Sequence, residues 1–168
     1  MDRSNSISNR LAARYPLLDI LSTDEADARA IVAEAARRAS LKVRSPKFGH
    51  QDTVEAGLVA LDELLVQGER TVLLLGGGHR LLRDGRFLQH LRESLREVER
   101  AGHSIVLISA WWTAAPEIDR DRVVLELGLP TEYELRDLVE AALTPSDGQP
   151  PDFRLVALAL QAARGMTR

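Results

Sequence analysis

The chain has 168 residues, 45% of them hydrophobic and 28% charged, which is the size and composition of one globular domain with a genuine core. The formal net charge is −3 with both signs mixed along the chain, and the lack of a strongly basic block argues against nucleic acid as a partner. The absence of cysteine excludes disulfides, thiol catalysis and cysteine-based zinc sites.

The N-terminal residues and the length of the apolar runs indicate the cellular compartment. Residues 1–9 are polar, so they predict a flexible N-terminal tail and lack the apolar stretch of a signal peptide. No apolar run approaches the ~20 residues that span a bilayer. We therefore expect a cytoplasmic protein that has no membrane partner.

Short apolar runs alternate along the chain with segments of helical spacing. A helical lead-in over 10–15 stops at Pro16, and the apolar runs then predict five strands, at Leu17–Leu21, Leu41–Arg44, Thr71–Leu75, Ser104–Ile108 and Arg122–Leu127. The second of these is weak and is expected near a sheet edge. Continuous apolar strands joined by helices are typical of a parallel sheet that is covered on both faces.

The helices are predicted from their caps and their apolar stripes. Ser22 and Glu25 have the capping-box form, and Asp84 and Gly102 mark the start and end of a long helix. Further helices are predicted from Asp52 or Thr53 to Gly68, over Thr131–Leu143 and over Asp152–Arg164. The fold class is therefore a three-layer α/β/α sandwich with a five-stranded, mainly parallel sheet. The sandwich is expected over 10–144, with a linker and a C-terminal helix over 145–168.

The order of these elements resembles that of the AAA+ ATPase superfamily over Leu11 to Thr167. The segment Glu117–Pro130 is similar to the last strand of such modules, and Arg154–Thr167 is similar to the opening of their helical lid. The lead-in Ala13–Leu18 resembles that of a degenerate module without a P-loop, the first module of the two-module AAA proteins of cyanobacteria and plastids. The resemblance implies a module that packs side by side with other protein chains.

The chain departs from a working AAA+ ATPase where nucleotide chemistry takes place. A P-loop needs glycines and a Lys-Ser/Thr pair after the first strand, but this chain has Ser22–Asp27, with three carboxylates and neither glycine nor lysine. The strand Thr71–Leu75 should be followed by Asp-Glu and is followed by Gly76-Gly77. We therefore expect no catalytic residues, no cofactor and no enzyme activity.

Two groups of residues remain as candidate sites. The loop Gly76-Gly77-Gly78 with Arg80 follows a strand, as anion-binding loops do, although a plain turn is the commoner meaning of such a glycine run. Trp111 and Trp112 are the only tryptophans, and adjacent residues in an extended chain point to opposite sides, so at least one is expected to be exposed or under a loop. Together with Arg120 and Arg122 they are candidate partner contacts. The histidines lack metal-ligand spacing, so no metal site is expected.

Three functions stay open at this point. The first is a non-catalytic, AAA+-like module that acts through contacts with another protein chain or with itself. The second is a nucleotide- or anion-binding protein that uses the glycine loop. The third is a small enzyme with an unrecognised site at the carboxyl ends of the strands.

Overall fold

The computed structural model describes residues 3–46, 53–128, 132–144 and 151–166. The chain divides into two compact units, Met1–Leu127 and Gly128–Arg168. The sequence predicted this boundary at residue 144, which is wrong because the helix Glu132–Leu143 packs against the helix Phe153–Met166 and belongs to the second unit.

The first unit contains a five-stranded sheet whose described strand pairs are all parallel. Its strands are β1 (Leu17–Leu21), β2 (Lys42–Arg44), β3 (Thr71–Gly76), β4 (Ser104–Ser109) and β5 (Arg122–Glu126). They lie in the order β2-β3-β4-β1-β5, so β2 forms one edge, as predicted. Every residue of β3 and β4 is buried, which explains why both sequences are continuous apolar runs.

Helices cover both faces of this sheet. Those of the first unit are α1 (Arg3–Ala12), α2 (Glu25–Arg38), α3 (Thr53–Leu65), the short α4 (Gly78–Leu81) and α5 (Gly85–Ala101). One apolar cluster joins α3 and α5 to one face of the sheet, and a second joins α1 and α2 to the other. Alternate residues of β1, such as Leu17 and Leu18, enter different clusters because side chains of a strand alternate between faces. The predicted three-layer α/β/α class is confirmed.

The prediction of a flexible tail over 1–9 is wrong for the described residues of that segment. The helix α1 begins at Arg3, and its Ile7 and Leu11 are 1% and 0% exposed. These two side chains stand four residues apart and therefore share one helix face, which packs against α2. These two apolar side chains, together with a hydrogen bond from Arg38 to Asn5, hold a helix whose other residues are mostly polar.

The helix α5 follows the prediction closely. The side chain of Asp84 accepts hydrogen bonds from the amides of Arg86 and Phe87, and Gly102 ends the helix with a φ of 73°. The predicted stripe is buried at Phe87, Leu91 and Val98.

The second unit contains the helices α6 (Glu132–Leu143) and α7 (Phe153–Met166). Val156 and Leu160 of α7 are buried, whereas Phe153 and Leu158 are exposed. Among the described residues, no helix combines the length and the apolar character that crossing a membrane requires.

Candidate functional site

The carboxyl ends of the parallel strands meet at one edge of the sheet, which is where open α/β folds hold their ligands. Leu21 at the end of β1 is in register with Ser109 of β4, and Gly76 of β3 is in register with Ile108. The segments that follow β1, β3 and β4 therefore start side by side. They contain the residue 22–27 turn, the glycine loop and the tryptophan pair.

The first turn of α2 is capped by one of its own carboxylates. Asp24, and not Ser22 as predicted, is the N-cap, and its side chain accepts a hydrogen bond of 3.0 Å from the amide of Asp27. The Ser22 hydroxyl instead bonds to the backbone of Asp24, accepting from its amide and donating to its carbonyl. This small turn moves the start of the helix to Glu25, so Glu25 cannot complete a capping box with Ser22. One of the helix amides that a phosphate would seek, that of Asp27, thus already has a carboxylate partner.

A second carboxylate of α2 lies over the end of β3. Glu25 forms an ion pair with Arg29, with 2.7 Å between the Glu25 Oε1 and Arg29 Nη2 atoms, and Arg29 also donates to the hydroxyl of Ser45. A Cβ atom added at Gly76 would collide with Glu25 Oε1 and lie 2.5 Å from Arg29 Nη2. Gly76 therefore stands where the AAA+ resemblance implies an acidic residue, and the space beside it is filled by the Glu25–Arg29 pair.

The three glycines after β3 serve the backbone and its packing. Gly76 is the last residue of β3, Gly77 has a φ of 67°, which favours glycine, and Gly78 begins α4. A Cβ atom on Gly78 would lie 2.5 Å from Ser109 Oγ and 2.9 Å from Leu107 Cβ, so α4 reaches β4 only because this residue has no side chain. The exposed Arg80 lies beside Gly77, as the predicted anion loop requires. Anion binding there stays a prediction.

The tryptophan pair is exposed, and the buried His79 packs against Trp111. Trp111 and Trp112 are 50% and 55% exposed, so both of them, and not only one, reach solvent. The ring of the buried His79 lies 4.0 Å from that of Trp111 between centroids, with an angle of 47° between the planes. His79 Nδ1 also accepts a hydrogen bond of 3.1 Å from the amide of Ala110, and the guanidinium of Arg83 lies 6.0 Å from the Trp111 ring.

The environment of His79 favours the neutral imidazole. Burial lowers the pKa of His79 most, and the positive charges of Arg80 and Arg83 lower it further, while Glu25 acts in the opposite direction. A neutral ring is also what the hydrogen bond from Ala110 needs, because a protonated Nδ1 accepts no hydrogen bond.

A buried polar cluster joins β1, β4 and β5 beneath the tryptophan loop. Ser109 donates a hydrogen bond of 2.7 Å to Asp19, and Arg122 Nη1 lies 3.4 Å from the other carboxylate oxygen and 2.9 Å from the Thr113 carbonyl. Arg122 also pairs with Asp119. Burial raises the pKa of Asp19 although both Ser109 and Arg122 act to lower it.

The prediction of Arg122 as a partner contact is therefore wrong. Its side chain is 1% exposed because the guanidinium compensates the carboxylate of Asp19, which is fully buried. Arg120, two residues earlier, is exposed and stays a candidate contact. The sequence carried one signal for this cluster, since Asp19 is the single charged residue in the apolar run of β1.

A cavity of about 630 Å³ lies elsewhere, between α5 and the loop before β5. Pro16, at the amino end of β1, lines it together with exposed charged residues such as Arg96 and Asp121. This position differs from the carboxyl end of the strands, where the sequence placed a possible enzyme site. The described residues also contain no group of three or more His, Asp or Glu side chains suited to a metal ion.

Comparison with known proteins places this architecture in a family. Residues 3–127 match the family model of the SpoVK-like AAA ATPase N-terminal domain. The structure of C. elegans PCH-2 is similar with a TM-score of 0.65 and 12% sequence identity, over 96% of this chain and 59% of that chain. A structure of S. cerevisiae dbp5 bound to nup159, gle1, ip6 and adp has a TM-score of 0.31 and 17% identity, over 86% of this chain and 48% of that chain. This TM-score is too low to indicate a shared fold.

No curated protein matches the sequence, and at 12% identity the likeness to PCH-2 shows the fold alone. The chain spans little more than half of the PCH-2 chain that it matches. The family model, in contrast, covers most of this chain and all five strands of its sheet. The chain therefore belongs to the SpoVK-like AAA ATPase N-terminal domain family of the AAA+ superfamily.

Proposed function

We propose that this protein is a non-catalytic, AAA+-like module that acts through contacts with another protein chain or with a second copy of itself. The observation that carries the proposal is the Glu25 carboxylate, which pairs with Arg29 and lies over Gly76 at the end of β3. A nucleotide-binding module would hold phosphate and magnesium in this region. The closer resemblance to the degenerate first module of two-module AAA proteins is part of the same proposal.

The residues after β1 do not fit a triphosphate. Asp24, Glu25 and Asp27 place three carboxylates at the start of α2, and the amide of Asp27 already donates to Asp24. Unlike charges would be needed to offset a triphosphate, and the turn Ser22–Asp27 contains neither lysine nor arginine. Arg29, the nearest cation along α2, is committed to Glu25 and Ser45.

Protein contact is the function that the remaining surface supports. The two exposed tryptophans provide the apolar area that binding surfaces use, and Arg120 offers an exposed charge on the same connection to β5. The family is that of the N-terminal domain of an AAA ATPase, so an ATPase chain is one partner to test. We also propose a cytoplasmic location, which fits a chain that has no cysteine and therefore no disulfide that needs an oxidising compartment.

Titration with ATP and magnesium in a calorimeter tests the non-catalytic part. We expect no saturable heat at micromolar to millimolar nucleotide and no phosphate release. Saturable binding would instead support the alternative, an anion site at Gly76–Gly78, and the variant Arg80→Ala would then weaken it. The control Arg100→Ala changes an arginine that is 80% exposed and lies at the far end of α5.

The protein-contact part needs its own measurement. Light scattering after gel filtration measures self-association, and pull-down with an ATPase of the same family tests the other partner class. We expect one of the two complexes to form. A protein that stays monomeric and retains no ATPase chain would contradict the proposal.

A further inference from the structure

We propose that Trp111, Trp112, Arg80 and Arg83 form a docking platform for an acidic segment of a partner protein that also carries apolar side chains. This inference rests on the proposed function, because it names the chemistry of the partner that such a module would bind. The platform lies where the loop after β4 meets α4 and the residues that follow it.

The apolar part of the platform is large and held in place. Trp111 and Trp112 are about half exposed, so their rings present area that a partner can cover. Trp111 cannot move freely, since the ring of His79 lies 4.0 Å away and the Ala110 amide before it is bonded to His79 Nδ1. The buried Arg122 holds the same loop further on, through the Thr113 carbonyl. A surface that is ordered before binding loses less conformational entropy when a partner docks.

The charge of the platform is positive and uncompensated. Arg80 and Arg83 are both exposed, and neither has a carboxylate partner among the described residues. Other exposed arginines of this unit, such as Arg37 and Arg86, do form ion pairs with nearby glutamates. Two guanidinium groups without a carboxylate partner, one of them 6.0 Å from the Trp111 ring, complement a segment in which carboxylates alternate with apolar side chains.

The surroundings favour a peptide over a nucleic acid. Glu25 lies close enough to His79 to raise its pKa, against the effect of Arg80 and Arg83, so it places negative charge beside the platform. A nucleic acid carries a charge on every nucleotide and meets this carboxylate with phosphates along its whole length. A peptide can place its few carboxylates at Arg80 and Arg83 and keep uncharged residues near α2.

Intrinsic fluorescence tests the platform directly, since Trp111 and Trp112 are the only two tryptophans of the chain. The probes are a synthetic peptide of alternating glutamate and leucine, the same peptide with lysine for glutamate, and single-stranded oligothymidine. We expect a saturable change in emission with the glutamate peptide alone, weakened by salt. Equal binding of the lysine peptide, tighter binding of the oligonucleotide, or no saturable change with any probe would overturn the proposal.

Variants separate the two parts of the platform. Arg80→Ala with Arg83→Ala is expected to weaken the glutamate peptide about tenfold, and the control Arg100→Ala is expected to leave the affinity unchanged. Trp112→Ala is expected to weaken the affinity for the glutamate peptide about thirtyfold, measured by the fluorescence of the remaining Trp111. Circular dichroism checks that each variant is folded. Affinity that is unchanged in the folded double arginine variant would contradict the platform.

The result can be told apart from a failure of the proposed function. Saturable ATP binding with intact peptide binding would end the non-catalytic proposal and leave the platform standing. A protein that associates with a partner but ignores the glutamate peptide would leave the proposed function standing and end the platform.

Discussion

The α2 side and the α4 side of the sheet's carboxyl edge differ in whether their side chains find partners within the chain. On the α2 side, the polar groups after β1 and β3 are satisfied within the chain, by Asp24 at the helix amide and by the Glu25–Arg29 pair over Gly76. On the α4 side, the loop after β4 is held from below by His79, while Trp111 above it remains half exposed.

Under the proposed function, this difference separates a side that does not bind phosphate from a side that binds a partner. A phosphate site needs free amides and unpaired cations, but at the first turn of α2 the Asp27 amide donates to Asp24 and the nearby Arg29 pairs with Glu25. A partner site needs an ordered surface with groups left to satisfy, and the α4 side has two tryptophans with two unpaired arginines. The following predictions test the contacts of the sheet and of this edge one at a time.

The largest effect is expected from Arg122→Leu, which leaves Asp19 buried without a cation. Loss of one partner from a buried ion pair destabilises a protein by about 3–5 kcal/mol, and chemical denaturation measures this as a lower free energy of unfolding. Adding Asp19→Asn should recover much of the loss, because an asparagine needs no compensating charge. Arg120→Ala, at an exposed position, serves as the control and should change stability by less than about 0.5 kcal/mol. If Arg122→Leu alone were as stable as Arg120→Ala, the structural role of the buried cluster would be refuted.

The next effect comes from the glycine loop, where two similar substitutions should differ. Gly78→Ala forces a Cβ atom against Ser109 Oγ and Leu107 Cβ, so overpacking should cost about 1–3 kcal/mol of unfolding free energy. Gly76→Ala meets only the ends of the Glu25 and Arg29 side chains, which are partly exposed and can swing away. Thermal denaturation should therefore show a clear drop for Gly78→Ala alone. The reverse order would mean that the Glu25–Arg29 pair is rigid.

A smaller effect is expected at the start of α2. Asp24→Ala removes the N-cap and should lower stability by about 1 kcal/mol. Glu25→Ala breaks an ion pair that is partly exposed, so its cost should lie between about 0 and 1 kcal/mol. Urea titration of both variants measures the difference. A larger loss for Glu25→Ala would show that the carboxylate over Gly76 supports the fold and not only fills the site.

The smallest change is expected from pH, since it alters the charge of a ring and removes no side chain. Burial lowers the folded-state pKa of His79 and His103 below the usual 6.5, so their contribution to stability is present above pH 6.5 and is lost as pH falls through the folded pKa. The free energy of unfolding should decrease on acidification. The Nδ1 atom of His103 accepts a hydrogen bond from the Thr71 amide, and the side-chain oxygen of an asparagine can accept it instead. In His103→Asn the decrease should therefore be shallower. An unchanged slope would exclude His103 as its cause.

The fold was largely predictable because its central strands β3 and β4 are short, mostly apolar runs. Thr71–Leu75 and Ser104–Ile108 were each found within one residue of their observed ends, and Asp84 and Gly102 act as the caps that their residue types indicate. The helix α1 spans Arg3–Ala12, but the sequence predicted only a helical lead-in over 10–15, since Ile7 and Leu11 are the only large apolar residues of this segment. A pattern of two residues does not distinguish a docked helix from a tail.

The site was predictable only where it depends on neighbouring residues in the sequence. The carboxylates after β1 and the tryptophan pair are visible as runs, but their partners are not. Arg122 pairs with Asp19 across 103 positions, and this contact follows from β5 lying next to β1 in the sheet. The support of Trp111 by His79 likewise depends on how α4 meets β4. Such contacts require the strand order, which the sequence pattern does not contain.

Crystals soaked with a non-hydrolysable ATP analogue and magnesium would locate any phosphate that binds, and so decide whether the first turn of α2 is a nucleotide site. We expect no ordered triphosphate at Ser22–Asp27, with Glu25 still paired to Arg29 over Gly76. Phosphates seated against the first turn of α2, with the Glu25 carboxylate displaced, would contradict this expectation.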